Sequence, residues 1–221
     1  MLCFSWKWLG ENRIHTRSLP DYPRFKKNKE DDTDLIKDLH RLFDEADILI
    51  AHNGDRFDIR KAHARFISAG LKPPSPSKTV DTLKAARRHF MFESNKLNDL
   101  GQYLKVGTKI PHTGFDLWLR CMRGEPRAWG LMRRYNRRDV VLLERVYEKL
   151  RPYITNHPNL SVFSGDRVCP ACQSWSIQRR GVMATQARRY NRFQCTDCGH
   201  WFRSEVIAKH QAKAKTSQAR P

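Results

Sequence analysis

Between residues 2 and 157 the apolar positions switch repeatedly between short unbroken runs and helical spacing. Residues 2–8, Leu-Cys-Phe-Ser-Trp-Lys-Trp, read as a short aromatic-rich strand, and Ile48–Ala51 as a second, buried one. Between them Leu35, Leu39, Leu42, Phe43 and Ala46 recur at the helical period, with Asp32, Thr33 and Asp34 as candidate caps. Residues 19–33, with Pro20, Pro23 and the run Lys-Lys-Asn-Lys-Glu-Asp-Asp, predict a loop. A further helix is predicted from about Asp55 to Gly70, with Ala62, Phe66 and Ile67 facing inward. "KPPSPSKT" is a rigid linker, because each proline fixes its own backbone and restricts the residue before it.

"TVDTL", residues 79–83, predicts a strand end running into a helix. Ser94 is a candidate cap for a helix carrying Leu97, Leu100 and Leu104 and ending at Gly107. Two more helices are predicted near 115–123 and 126–151, the second strongly periodic at Val140, Leu143, Val146, Tyr147 and Leu150. Strands alternating with helices indicate an α/β layered domain over residues 1–157. Beyond Gly165 the text changes to turns, paired cysteines and arginines, so residues 165–204 read as a small second module. Residues 205–221, rich in Lys, Ala and Gln, read as a basic tail, helical and frayed or disordered.

Charge changes the picture of what such a domain would meet. Lys+Arg number 42 against 23 Asp+Glu, a net charge of +19 with a pI near 10.1. That field attracts phosphate polymers or anionic membrane. No apolar run approaches the roughly 20 residues a bilayer span needs, and the first residues lack the basic-then-apolar layout of a signal peptide. Nucleic acid is the expected partner and the cytoplasm the expected compartment. A basic surface kept only for solubility is the competing explanation.

Three acidic residues fall at element ends. Asp58 follows the turn "AHNGDRFD", Asp81 closes a short strand, and Asp139 lies on the long last helix with Tyr135 four residues earlier on the same face. Each has a structural explanation taken alone. Asp58 would complement a helix N-terminus, Asp81 would cap a helix, and Tyr135 and Asp139 would be a surface pair.

Taken in order, "HNGDRFD", "VDTL" and "YNRRD" resemble the DnaQ-like 3'–5' exonucleases of the ribonuclease H-like superfamily, in the variety with a tyrosine in the last motif (the DEDDy type). Asn53, Phe57 and Asp58 match the second motif, and Tyr135 and Asp139 the third. "SNKLNDLGQYLKVGTK" and the stretch from "DLWLRCMRGEP" through the last helix also look like this group, and the likeness covers roughly residues 1–155. It implies a ribonuclease H-like mixed sheet flanked by helices and Mg²⁺ or Mn²⁺ as cofactor. Hydrolysis would stabilise charge on the attacking and leaving oxygens between two divalent cations, which oxygen ligands suit. By the resemblance Asp139 holds one metal directly, Asp58 holds the second largely through water, and Tyr135 orients the attacking water. Asn53 and Phe57 would shape the turn or touch the terminal nucleotide of a single-stranded 3' end, and His52 would be a substrate contact.

One motif of the family is not matched. An Asp-x-Glu pair on the first strand supplies most direct metal contacts in the group, and none precedes "AHNG" here. The expectation is a sheet short of its first strand and a chain with little or no nuclease activity as written. Either a shortened active enzyme or an inactive relative that still binds nucleic acid would fit. A transposase-like member of the superfamily is disfavoured, because its last acidic residue is usually Glu without a tyrosine four places earlier.

The cysteines add a second chemistry. Cys3 and Cys121 stand alone, whereas Cys169-Pro-Ala-Cys172 and Cys195-Thr-Asp-Cys198 are two Cys-x-x-Cys pairs 22 residues apart. Two such knuckles around a hairpin predict a zinc ribbon, with structural Zn²⁺ in a closed four-thiolate site. His200 is expected at the surface. Six arginines between 179 and 203 interleave with Tyr190, Phe193, Trp201 and Phe202, so the aromatics either stack on bases or form the ribbon's core. Trp6, Trp8, Trp118 and Trp129 are expected in packing, and His63, His89 and His112 have no ligand spacing.

Overall fold

The computed structural model describes residues 1–111, 114–164 and 168–206. Its contacts divide it into two units, Met1–Pro158 and Asn159–Pro221. His112, the expected boundary at Gly165 and the tail from Ile207 onward lie outside the described residues.

The aromatic run at the start forms β1 (Cys3–Trp6), which pairs antiparallel with β2 (His15–Ser18), Cys3 opposite Ser18 and Trp6 opposite His15. β2 reads His-Thr-Arg-Ser, so pairing rather than an apolar run makes it a strand. The expected loop over 19–33 contains a 3₁₀ turn (Leu19–Asp21) and a one-turn helix α1 (Arg24–Lys27). Leu19, fully buried, anchors it. Then follow α2 (Thr33–Glu45), β3 (Ile48–Ala51), α3 (Asp58–Ser68), β4 (Lys78–Asp81), α4 (Thr82–His89), α5 (Leu97–Tyr103), α6 (Phe115–Arg123) and α7 (Pro126–Leu150).

Several local expectations are corrected. Asp32 stands at the α2 N-cap but makes no side-chain cap bond. Its carboxylate pairs with Arg65, and Asp31 takes the Thr33 N–H at 3.0 Å instead. On α3, Ala62 and Phe66 are buried four residues apart, while Ile67, about 100° round the helix from Phe66, is 78% exposed. Lys96 rather than Ser94 is the α5 N-cap, the Ser94 hydroxyl lies 2.6 Å from Asp99, and the helix stops at Tyr103. Trp129 is buried as expected, but Trp118 is 52% exposed.

The sheet is split. β3 and β4 run parallel, with Ala51 opposite Asp81, and among the described residues no ladder joins this pair to β1 and β2. Helix α7 ties the two pairs together. Its first half, through Ala128, Trp129 and Met132, packs with Leu19, Leu117, Cys121 and the apolar side chains of β1. Its second half, through Leu142, Val146, Tyr147 and Leu150, packs with Val80, Ala85, Ala86, Leu97 and Leu100, against which Ile48 and Ile50 of β3 also lie. Arg133 reaches Ser18 at 2.8 Å and Asp21 at 2.6 Å, fixing the hairpin to the helix. Tyr135 and Asp139 fall between the two halves.

In the second unit a one-turn helix α8 (Ser161–Ser164) precedes β5 (Ile177–Ala184), β6 (Arg189–Cys195) and β7 (Trp201–Val206), an antiparallel sheet in that order. Gly181, at φ +87°, stands where the β5–β6 register shifts, a conformation glycine adopts without steric cost. Among the described residues no helix is long and apolar enough to cross a membrane.

Candidate active site

The turn after β3 explains why its residues are polar and small. Asn53 adopts φ +63°, a left-handed conformation that asparagine tolerates better than most residues. Gly54 follows so tightly that a Cβ there would lie 2.4 Å from the Ala51 Cβ. Backbone bonds from Phe57 N to Asn53 O (3.0 Å) and Ile59 N to Gly54 O (2.9 Å) close the bend, and Asp58 emerges as the first residue of α3.

Asp81 holds this turn against β4. Its Oδ1 accepts from Asn53 N at 2.8 Å, Leu83 N at 3.0 Å and Lys84 N at 3.4 Å, and its Oδ2 from Asp55 N at 3.3 Å. It is therefore both the N-cap of α4 and the tie to the turn, 7% exposed. Thr82 adds a bond to Ala51 O at 3.1 Å and lies 2.9 Å from His52 Nδ1. Burial lowers the His52 pKa, against the pull of the nearby Asp81 carboxylate, so the ring is held neutral.

Asp139 and Tyr135 face the loop after α5, which presents Lys109. The Lys109 ammonium lies 2.7 Å from Asp139 Oδ2 and 5.5 Å from the centre of the Tyr135 ring. Several bonds pin that loop. Lys109 N donates to Asn98 Oδ1 at 2.9 Å, Arg138 Nε to Thr108 O at 2.8 Å, and Arg145 to Val106 O at 3.1 Å. A Cβ on Gly101 would lie 2.5 Å from Gly107 O, so the loop crosses α5 where only glycine fits. Burial disfavours the Lys109 ammonium, but its hydrogen bond to Asp139 and the charge of that carboxylate outweigh it and raise its pKa. Burial and then the charge of Asp139 push the Tyr135 phenol up, so it stays protonated at neutral pH.

Asp58 lies within electrostatic reach of Asp81 and Lys109. Burial raises its carboxyl pKa, a backbone hydrogen bond opposes that, the Asp81 carboxylate raises it further and the Lys109 ammonium lowers it. Lys109 thus acts on Asp58 and His52 while bonded to Asp139. Of the expected substrate contacts, Asn53 gives its N–H to Asp81, and Phe57 is 56% exposed beside the group. Lys109 was the residue sequence reasoning missed. One lysine among 42 basic residues carries no signal by itself, and only the glycines on either side of its loop mark a constrained backbone.

The donor set suits a hard cation in part. Asp139 Oδ1 is buried and accepts no hydrogen bond among the described residues, and a carboxylate oxygen so placed is a natural ligand for Mg²⁺ or Mn²⁺. Asp58 is held partly desolvated nearby. Asp81 is engaged by four backbone N–H groups, and Asp139 Oδ2 by Lys109.

The four cysteines of the second unit meet a closer test. Cys169 and Cys198 sulfurs lie 3.7 Å apart, as do those of Cys172 and Cys195, and all four ligand atoms fall within 4.8 Å of one another. Zn–S bonds of about 2.3 Å in a tetrahedron place sulfurs about 3.8 Å apart, so the group fits zinc and is far too open for disulfides. Burial pushes the Cys169, Cys172 and Cys198 thiols up to about 11, whereas backbone N–H groups, working against burial, hold Cys195 below its ordinary value. His200, expected at the surface, is 8% exposed and stacked on Phe202, which accounts for its burial without metal.

Residues 9–151 match the model of a protein family described as RNase_H superfamily. No curated protein matches the chain.

Proposed function

The chain belongs to the RNase H superfamily, and on that footing we propose that its first unit is a 3'–5' exonuclease-like domain for phosphodiester hydrolysis, weakened by an incomplete acidic cluster. What supports this is the meeting of Lys109 and Asp139 beside the Tyr135 ring, with Asp58 within electrostatic reach of Lys109 and one buried Asp139 oxygen accepting no hydrogen bond among the described residues. Mg²⁺ or Mn²⁺ would be held by Asp139 directly and by Asp58 largely through water, and when bound would stabilise the negative charge of the reacting phosphate.

The chain's own residues then divide the remaining work. Tyr135, kept protonated, orients the attacking water beside Asp139. Lys109 offers a fixed positive charge at the same point, available to a phosphate oxygen once it leaves Asp139. Asn53 sets the bend that delivers Asp58, and the exposed Phe57 ring offers a face to the terminal base of a single-stranded 3' end. His52, neutral and bonded to Thr82, lines the neighbouring turn.

Two carboxylates are few for a metal pair, so slow Mn²⁺-dependent trimming of labelled single strands is expected, abolished by Asp139→Asn and by Asp58→Asn. Trimming indifferent to both substitutions would refute the assignment. A second reading has a specific observation behind it: Lys109 already neutralises Asp139, as it would in a non-catalytic nucleic-acid-binding protein of the same fold. Tight oligonucleotide binding with no cleavage at any Mn²⁺ concentration selects that alternative.

A further inference from the structure

The ribbon's sheet separates its aromatic residues onto two faces, and they do different things. Directly paired residues share a face of a sheet, and alternate residues along a strand return to it. Phe193 pairs with Phe202, their rings stacked at 5.6 Å, and His200 extends that stack. The opposite face carries Tyr190, Arg192 and Gln194 of β6 and Trp201 and Arg203 of β7, with Arg192 opposite Arg203 and Gln194 opposite Trp201. There each guanidinium lies over a ring, Arg192 over Trp201 at 5.0 Å and Arg203 over Tyr190 at 4.4 Å. Trp201 is nevertheless 47% exposed.

We propose that this face, built on Tyr190, Arg192, Trp201 and Arg203, is a stacking platform for single-stranded nucleic acid. It takes from the function proposed above only that the ligand is a polynucleotide. Two like charges directly opposite each other destabilise a sheet, and Arg192 and Arg203 are so paired. Phosphates bound at this face offset that repulsion. The rings meanwhile hold the arginines in place, and Arg192 is further fixed by its Nε bond to Arg180 O at 3.1 Å, so little freedom remains to be lost on binding. Flat guanidinium–aromatic stacks suit unpaired bases, whose faces are hidden in a duplex.

The test uses the full chain carrying Asp139→Asn, with fluorescence anisotropy of labelled 20-nucleotide oligo-dT and oligo-U and of a 20-base-pair duplex, and zinc content checked for every variant. On whichever single strand binds, Trp201→Leu and Tyr190→Leu should each weaken affinity by about 5- to 100-fold, while Trp201→Phe, which keeps a ring, recovers most of it. Arg192→Gln and Arg203→Gln should each flatten the dependence of log K on log salt by about 0.7. Trp201→Leu binding as tightly as Trp201→Phe with zinc retained would overturn the platform, as would a duplex showing the same loss. Cleavage reports on Asp139 and not on this face. A chain that never cleaves in any form, yet loses binding on Trp201→Leu, upholds the platform while the hydrolytic reading fails.

Discussion

Lys109 and Asp139, 30 residues apart in sequence, meet at 2.7 Å beside the ring of Tyr135. The contact depends on two long-range features that have nothing to do with charge. Gly101 lets the 104–111 segment cross α5 closely, and Arg138 and Arg145, on the same helix as Asp139, hold its carbonyls. Helix α7 therefore positions the carboxylate and its cation together. That pairing neutralises Asp139 before any metal arrives.

Removing the ammonium should separate its two effects. Lys109→Met leaves Asp139 without its partner, and the melting temperature without metal should fall, by less than the 3–5 kcal/mol typical of a fully buried pair because Lys109 is about a third exposed. Mn²⁺ should then raise the melting temperature of Lys109→Met more than that of the parent chain, since the carboxylates are no longer compensated. Thermal denaturation with and without Mn²⁺ measures both. An equal Mn²⁺ shift in the two proteins would show that Lys109 and the metal do not compete.

Asp81 should prove a stability residue. Asp81→Ala removes a helix cap, worth about 0.5–2 kcal/mol, and strips acceptors from the N–H groups of Asn53 and Asp55, about 1–3 kcal/mol each when left unmade in a buried setting. A loss of about 3 kcal/mol or more in urea unfolding is expected. Asp81→Asn, which retains an acceptor, should cost less.

Much of this arrangement was legible in the sequence, and the gaps have physical causes. Helix α6 and the start of α7 coincide with their periodic stretches because Gly124 caps the end of one and Pro126 opens the other. The "AHNG" bend was visible because left-handed backbone and close approach restrict residue choice to Asn and Gly. β2 was invisible, since His-Thr-Arg-Ser has neither alternation nor apolar character and is a strand only by pairing with β1. Ile67 was misplaced because it adjoins Phe66 in sequence, while a helix turns it out of the core. The two aromatic faces of the ribbon depend on strand register, which no run of arginines and aromatics reveals.

Zinc removal should melt the second unit alone. Its buried cluster is Cys169, Ala171 and Cys195, with Cys172, Ile177 and Cys198 packed round it, so four of the six residues of that cluster are the ligands themselves. β5 is exposed along nearly its whole length. Without metal there is too little apolar surface to offset chain entropy. A strong chelator should open residues 168–206 to limited proteolysis while the melting transition of the first unit keeps its midpoint. Ribbon amides that stay protected from hydrogen exchange in chelator would contradict this.

Asp58 supplies the clearest dependence on pH. Its folded pKa is raised chiefly by burial, even though a negative charge in the first turn of α3 would normally be favoured by the helix dipole. The sign follows from proton counts. Between the ordinary carboxyl value of 3.8 and the raised folded value, the folded chain holds more protons at this site than the unfolded one. Its contribution is thus fully present below about pH 3.8 and is lost as pH rises through the folded value. Asp58→Asn, which carries no charge at any pH, should therefore be more stable than the parent at pH 7 and match it below pH 4, as read by urea midpoints across that range. The same substitution should weaken Mn²⁺ binding at pH 7, so a stabilised protein with a smaller Mn²⁺-induced shift is the joint signature of a carboxylate held for a cation. Asp58→Asn that is less stable at pH 7 would mean the charge is already satisfied within the fold and is not kept for a metal.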